Sequence, residues 1–116
     1  MFEIKDEIEQ AFREGYDKAI KDNSLEFSQD LRTIAEYYGF PSQANMLCEE
    51  SAEFTVALNK LRRGHAESYK NVKEELADVL VVALQLRILL SKDDIDEIIA
   101  AKVKRQLERI ADEKTN

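Results

Sequence analysis

The amino-acid sequence predicts an all-α fold of four helices with an additional helix at the N-terminus. Apolar residues recur at helical spacing along most of the chain, and no segment alternates apolar and polar residues as a half-buried strand does. The 116 residues include only three glycines and one proline, so helix-breaking positions are few. Because several helices have narrow apolar faces, we expect a second copy of the chain to complete the core.

Breaks between the apolar stripes divide the chain into an N-terminal extension, residues 1–23, and a main domain, residues 24–116. The extension consists of one amphipathic helix, Phe2–Asp22. The main domain is a bundle of four helices, which turn and capping residues separate. These helices are predicted at Leu25–Tyr38, at Gln43–Arg63, at Lys70–Leu90, and from a cap at Ser91 or Asp93 to Lys114.

Serine and glycine residues mark the ends of these helices. Ser24 and Ser42 are candidate N-caps, because a serine hydroxyl accepts hydrogen bonds from free amides in the first turn of a helix. Gly39 and Gly64 follow the last residues of their helices, where glycine adopts the left-handed backbone conformation that ends a helix. Residues His65–Tyr69 are therefore expected to form the turn of a helical hairpin.

Composition limits the classes of partner. The formal net charge of -7 opposes binding to a nucleic-acid backbone. The longest apolar run, Val79–Leu84, is too short to span a membrane, and Met1–Glu3 lacks the basic residues that begin a signal peptide. The single cysteine, Cys48, cannot form an internal disulfide. We therefore expect a cytoplasmic protein with no nucleic-acid and no membrane partner.

Two acidic clusters lie within apolar helical sequence. The first contains Glu49, Glu50 and Glu53, and the second contains Glu75 and Asp78. Residues three positions apart share one face of a helix, so each cluster presents its carboxylates together. Glu50 and Glu75 also fall on the apolar stripes of their helices. We therefore expect these carboxylates to point inward, although buried carboxylates are costly.

A hairpin with its tip at Gly64 would bring the two clusters to the same height. Glu53 precedes Gly64 by eleven residues, and Glu75 follows it by eleven. Converging carboxylates cannot all stay ionised without a cation, and Mg²⁺ accepts oxygen ligands while bridging to substrate phosphates. One pair of glutamates at helical spacing is more often surface charge, but two pairs placed symmetrically about a turn favour a metal site.

Other residues that carry chemistry are few. His65, the only histidine, falls in the turn, which argues against a di-iron site with histidine ligands. The sequence contains no glycine-rich phosphate-binding loop, so phosphate contacts would come from lysine or arginine side chains. Lys102 is favoured because it adjoins the core position Val103. The full set of candidates is Lys60, Arg62, Arg63, Lys102, Lys104 and Arg105.

The two acidic motifs resemble those of the MazG-like all-α nucleoside triphosphate pyrophosphohydrolases. The first motif has the pattern E-E-x-x-E at residues 49–53, and the second has the pattern E-x-x-D at residues 75–78, with 21 residues between them. The flanking sequence is also similar to the family, namely Gln43, the sequence L-R-R-G at residues 61–64 and the sequence E-E-L-A-D-V-L at residues 74–80.

The resemblance, which covers about residues 24–110, implies a fold and a function. The fold is a MazG-like four-helix bundle completed by dimerisation, as a homodimer or a dimer of dimers. The reaction is hydrolysis of a nucleoside triphosphate, (d)NTP, to the monophosphate and pyrophosphate. It depends on Mg²⁺, with Mn²⁺ as a substitute. The minimal family pattern has no counterpart of the helix Phe2–Asp22.

The resemblance also implies roles for individual residues. The metal would be held by Glu50, Glu53, Glu75 and Asp78; catalysis would involve Glu49 and Glu53; and the substrate would contact Lys102, Arg105 and Gln43. Glu49 would be an extra ligand or would orient the attacking water. Lys102 matches a lysine on the last helix of the family, but Gln106 stands where that helix often carries asparagine.

Other functions stay open at the level of sequence. A hydrolase of this kind can be specific for dUTP or dCTP, or can act on a non-nucleoside diphosphate. The chain can instead be a non-catalytic dimerisation or regulatory module with a vestigial metal site. A di-metal oxidase would need iron and histidine ligands. Mg²⁺ distinguishes the hydrolase from the module, because a cation stabilises only a protein that binds it.

Overall fold

A computed structural model of the protein describes residues 6–8, 10, 14 and 27–115, and the regular structure in this part of the chain is entirely helical. The elements are α1, Ser28–Arg62; a 3₁₀ turn, Ala66–Ser68; α2, Tyr69–Leu89; and α3, Lys92–Thr115. Gly39 divides α1 into two arms, residues 28–38 and 40–62. The two arms, α2 and α3 correspond to the four predicted helices, so the all-α prediction is confirmed.

Most of the predicted helix Phe2–Asp22 lies outside the described residues, as does the candidate cap Ser24. Residues 6–8, 10 and 14 are described, and each of them is helical. The boundary between an extension at residues 1–23 and a domain at residues 24–116 stays a prediction.

The two arms of α1 meet at Gly39. Its backbone angles, φ 80° and ψ 168°, belong to a region that is essentially restricted to glycine. The predicted helix stop at Gly39 is confirmed, but the predicted cap at Ser42 is wrong, because Phe40 to Ser42 are already helical. Pro41 fits the first turn of the second arm, where its fixed φ suits the helix and its missing N–H would have had no intrahelical partner.

The second arm of α1 ends in a Schellman motif around Gly64. The amide of His65 donates to the carbonyl of Lys60 at 3.1 Å, and the amide of Gly64 donates to the carbonyl of Leu61 at 3.0 Å. Gly64 has a φ of 95°, which glycine adopts without steric cost. The chain then reverses through the 3₁₀ turn into α2, so the predicted hairpin turn is confirmed.

The hairpin of α1 and α2 lies in one compact unit, Gln29–Ser91, and α3 belongs to a second unit. The buried apolar residues of the hairpin are Ala35, Ala57, Val82 and Leu86, and its buried polar residues are Gln43, Ser68 and Gln85. Ala57, Val82 and Leu86 belong to the predicted apolar stripes. No large side chain in the described residues is fully buried, so small and polar residues form much of this hairpin contact.

A stripe of leucines on α2 is exposed to solvent. Leu76, Leu80 and Leu84 are 41%, 52% and 39% exposed, and their spacing of four residues places them on one face of the helix. Monomeric proteins rarely leave contiguous apolar patches uncovered. Within the residues that the structure describes, no helix combines the length and the apolar character that crossing a membrane requires.

The last helix, α3, begins at Lys92, so Asp93 lies inside its first turn and does not cap it. Asp93 and Asp94 are placed favourably there, because carboxylates interact well with the positive end of the helix dipole. Ser91, immediately before α3, has a φ of 85°, which is uncommon for a residue other than glycine.

Candidate metal centre

The structure brings three of the predicted metal ligands together. Glu50 on α1 and Glu75 and Asp78 on α2 each offer a carboxylate oxygen, and these oxygens lie within 4.8 Å of one another. Glu75 and Asp78 are one helical turn apart on the same face of α2. The prediction that the hairpin brings the two acidic clusters to the same height is confirmed for these residues.

The sequence explains this convergence through the position of the turn. Glu50 precedes Gly64 by fourteen residues, and Asp78 follows Gly64 by fourteen. In an antiparallel hairpin, residues at equal distances from the turn lie side by side. Fourteen residues are also close to four complete helical turns, so Glu50 and Asp78 have the same orientation relative to the turn.

Glu50 and Glu75 are half-buried, whereas Asp78 is exposed. The Oε2 atoms of both glutamates are buried, and neither has a hydrogen-bond partner among the described residues. An unpaired buried carboxylate oxygen is unfavourable, and it is stabilised by a proton or by a cation. These two oxygens are therefore the most direct indication that the cluster binds a proton or a cation.

In the absence of a cation, burial and neighbouring negative charges raise the pKa of both half-buried glutamates. Burial raises the pKa of the Glu50 carboxyl above its ordinary value, and the negative charge of Glu53 raises it further. Burial likewise raises the pKa of Glu75, followed by the charges of Glu53 and Asp78. The acidic side chains of the site therefore form a concentration of negative charge that a bound cation would neutralise.

The two remaining acidic residues lie next to the cluster. Glu53 is exposed, and its negative charge lies close enough to Glu75 to raise the pKa of the Glu75 carboxyl. Glu49 is exposed, and its charge contributes to the raised pKa of Glu50. Glu53 is thus closely coupled to the cluster, and Glu49 lies at its edge.

The donor set fits a hard divalent cation. The ligand atoms of the cluster are carboxylate oxygens, and Mg²⁺ prefers oxygen ligands at about 2.1 Å. Two of the carboxylates also have a buried oxygen for which the described residues supply no partner. His65 is exposed in the hairpin turn, where its Nδ1 lies 3.3 Å from Glu67, so it is not part of the cluster. The residues present therefore suit Mg²⁺ or Mn²⁺ better than a metal that needs imidazole ligands.

An open groove runs from the cluster toward the hairpin turn. It has a volume of about 320 Å³ and is lined by Ala52, Glu53, Val56, Ala57, Lys60 and Asn71. Lys60 follows Glu53 by seven residues, so both side chains lie on one face of α1. The sequence identified Lys60 only as one of six possible phosphate contacts. Its seven-residue spacing from Glu53 would have distinguished it from the others.

The three residues predicted to contact the substrate lie in different places. Gln43 is buried, and its side-chain amide donates a hydrogen bond to the Oε1 atom of Gln85 on α2. Lys102 and Arg105 are exposed on α3, outside the compact unit that contains the carboxylates. Their contacts with a substrate stay predictions.

Comparison of the chain with protein-family models, with curated proteins and with solved structures finds no match in any of the three.

Proposed function

We propose that the protein is a Mg²⁺-dependent nucleoside triphosphate pyrophosphohydrolase, which converts a (d)NTP to the (d)NMP and pyrophosphate. The observation that carries the proposal is the convergence of Glu50, Glu75 and Asp78, together with the two buried carboxylate oxygens that have no hydrogen-bond partner in the part of the chain that the structure describes. The resemblance of the E-E-x-x-E and E-x-x-D motifs to the MazG-like family supplies the reaction. We also propose that the protein is cytoplasmic.

The carboxylates of this hairpin would hold the cation. Glu50, Glu75 and Asp78 provide the oxygens that converge, and Glu53 is the fourth ligand because it is already coupled to Glu75. Mn²⁺ would replace Mg²⁺ at the same oxygens. A cation held by these residues would neutralise the carboxylates and would supply Lewis-acid activation of water and phosphate oxygens.

The reaction requires water to attack the α-phosphorus while the bond to the bridging oxygen of the β-phosphate breaks. A carboxylate beside the metal ligands must orient this water and accept its proton, and Glu49 and Glu53 are the candidates. Pyrophosphate leaves with the bridging oxygen, and its negative charge needs a cationic side chain. Lys60 lines the groove beside Glu53, and the proposal includes Lys102, Arg105 and Gln43 as further substrate contacts.

We also propose that the protein functions as a homodimer or a dimer of dimers in a MazG-like bundle. The exposed stripe of Leu76, Leu80 and Leu84 on α2 supports this part of the proposal, because a second chain would cover it. The net charge of -7 makes binding to nucleic acid unfavourable.

Product analysis tests the proposed reaction. The purified protein would be incubated with a panel of canonical and modified (d)NTPs, with Mg²⁺ or with a chelator, and the phosphorus products would be identified. We expect monophosphate and pyrophosphate only in the presence of the metal. Release of orthophosphate would show that a different bond is cut and would contradict the assignment.

The second candidate is a non-catalytic dimerisation or regulatory module with a vestigial metal site, and the exposed leucine stripe on α2 favours it. Absence of turnover on every substrate, together with no stabilisation by Mg²⁺, would favour this module. Where the wild type shows turnover, a carboxylate variant provides the control: Glu53→Gln should lose turnover and keep the helical circular dichroism spectrum of the wild type.

A further inference from the structure

We infer that Gln43 and Gln85 are positioning residues, whose buried hydrogen bond holds the open end of the α1–α2 hairpin together so that the carboxylates converge. This inference deepens the proposed function and rests on it for the identity of the bound cation. The role differs from the substrate contact that the family resemblance predicts for Gln43.

The hydrogen bond between these two side chains, here called the glutamine pair, is well buried. Gln43 is 5% exposed and Gln85 is 3% exposed. The amide nitrogen of Gln43 donates to the Oε1 atom of Gln85, so the bond joins α1 directly to α2. A buried amide is rarely placed in a helix contact without a specific role, because apolar residues of the same size pack there at lower cost.

The position of the glutamine pair along the hairpin follows a regular seven-residue spacing. Gln43 precedes Glu50 by seven residues, and Gln85 follows Asp78 by seven. Seven residues span about two helical turns, or about 10 Å, and return to the same helix face. The glutamine pair and the carboxylates are therefore successive contacts along one seam of the hairpin.

The same spacing continues toward the turn. Ala57 follows Glu50 by seven residues and Asn71 precedes Asp78 by seven, and these two residues line the same groove. The carboxylates thus lie between the level of Ala57 and Asn71, on the side of the turn, and the glutamine pair, on the open side. Polar residues at such seam positions fix which residues face each other, at a cost in stability.

Repulsion between the carboxylates opposes the close approach of the two helices. Oxygens of Glu50, Glu75 and Asp78 lie within 4.8 Å of one another, so these groups repel when they are ionised. The turn restrains the hairpin on one side of the carboxylates. On the other side, the glutamine pair adds a directional contact to the apolar packing of Val82 and Leu86, which keeps the ligand oxygens close before a cation binds.

The experiment compares Gln43→Leu, Gln85→Leu and the double Leu variant with the wild type, with exposed Gln29→Leu as the control. The melting temperature Tm and the NMR contacts between α1 and α2 are measured without metal, and Mn²⁺ affinity is measured by electron paramagnetic resonance. Each single variant leaves one buried amide unpaired, and we expect a loss of at least about 5 °C in Tm.

The double variant separates positioning from packing. Two leucines restore an apolar contact, so we expect the Tm to recover most of the loss. The Mn²⁺ affinity should stay at least about 10-fold weaker than that of the wild type, as for other residues that orient metal ligands. Contacts between α1 and α2 on the open side of the carboxylates should change in the NMR spectra, because an apolar pair does not fix which residues face each other, and contacts next to the turn should persist. Wild-type Mn²⁺ affinity in the double variant would overturn the inference.

Two further outcomes would overturn the inference or separate it from the proposed function. If Gln43→Leu raised the KM for nucleotide at unchanged Mn²⁺ affinity while Gln85→Leu had no effect, Gln43 would be a substrate contact and the inference would be wrong. If the wild type bound no Mn²⁺, the proposed function would fail. The metal-free NMR contacts would then decide, and contacts unchanged in the double variant would refute the positioning role.

Discussion

At the residue scale, the site depends on carboxylates placed where a helix normally carries apolar side chains. The inward orientation of Glu50 and Glu75 could be predicted, because both residues fall on apolar stripes with helical spacing. The exposure of Asp78 and the influence of Glu53 on the pKa of Glu75 could not, because they depend on the rotation of α2 against α1. The periodicity of apolar residues along one helix gives no information about how that helix is rotated against its neighbour.

The substitution Glu75→Gln tests the ligand role. It removes the charge and keeps the size of a half-buried side chain that carries an unpaired oxygen. In the absence of metal, we expect a Tm equal to or above that of the wild type, because the repulsion with Glu53 and Asp78 is relieved. Turnover should fall at least about 100-fold, since a lost ligand costs no less than a residue that merely orients one.

The control for this substitution is Glu74→Gln, which removes the same charge from the neighbouring exposed residue of α2. Calorimetry in chelator and activity in Mg²⁺ would be measured for both variants. Unfolding of Glu75→Gln, or equal loss of activity in Glu74→Gln, would show that the assignment of Glu75 as a ligand is wrong.

The raised pKa values of Glu50 and Glu75 predict a pH dependence of stability. Between the ordinary carboxyl pKa and these raised values, the folded protein binds more protons than the unfolded chain does. The free energy of unfolding of the metal-free protein should therefore decrease as the pH rises from about 4.5 toward neutrality.

The pH profile is measured by chemical denaturation in chelator, for the wild type and for the Glu50→Gln, Glu75→Gln double variant. The double variant should lack this decrease, because its amides do not titrate. Mn²⁺ affinity of the wild type should change in the opposite sense, rising with pH as the carboxylates ionise. A stability that increased with pH only in the wild type would contradict the raised pKa values.

At the element scale, two glycines define the hairpin, and both could be predicted. Gly39 and Gly64 stand at the ends of apolar stripes and have positive φ angles of 80° and 95°. The start of the second arm was predicted incorrectly at Ser42. A serine N-cap and a proline in the first turn are both start signals, and here the proline allowed the helix to begin immediately after Gly39.

Alanine substitutions at the two glycines should destabilise the protein by different amounts. A Cβ atom at either position would meet nothing within 4 Å, so the cost comes from the backbone conformation alone. We expect Gly64→Ala to cost about 1–2 kcal/mol, the usual penalty for a left-handed residue. Gly39→Ala should cost more, up to about 3 kcal/mol, because its φ and ψ angles are essentially restricted to glycine.

Urea denaturation followed by circular dichroism would measure both glycine substitutions. Ser91→Gly serves as the reverse control, because Ser91 has a φ of 85° and glycine should relieve its strain. An alanine at Gly39 that leaves the free energy of unfolding unchanged would show that the two arms of α1 are not joined in this conformation.

At the scale of the whole molecule, the hairpin unit Gln29–Ser91 contains the complete acidic cluster. The sequence could predict this, because the motifs flank one turn at equal distances. It could not predict which apolar residues of the hairpin stay exposed, since Leu76, Leu80 and Leu84 are as apolar as the residues that are buried. Periodicity identifies an apolar face, but it does not identify whether the same chain or a second copy covers that face.

The exposed leucine stripe on α2 leads to a prediction about assembly. Sedimentation should give a mass that is a multiple of 13.4 kDa, and Leu80→Glu should reduce it by placing a charge in the interface between copies. Lys70→Glu, a charge change at an exposed position of the same helix, should leave the mass unchanged. A wild-type mass of one chain across micromolar concentrations would show that the stripe has no partner copy.

The central claim, that the hairpin carboxylates hold a divalent cation, is tested most directly by titrating the protein with Mn²⁺ under electron paramagnetic resonance. We predict saturable binding to the wild type, competition by Mg²⁺, and no comparable binding to the Glu50→Gln, Glu75→Gln double variant. The double variant and the wild type should have the same helical spectrum, so that the loss reports the site and not the fold. Equal binding to the double variant, or none to the wild type, would contradict the account.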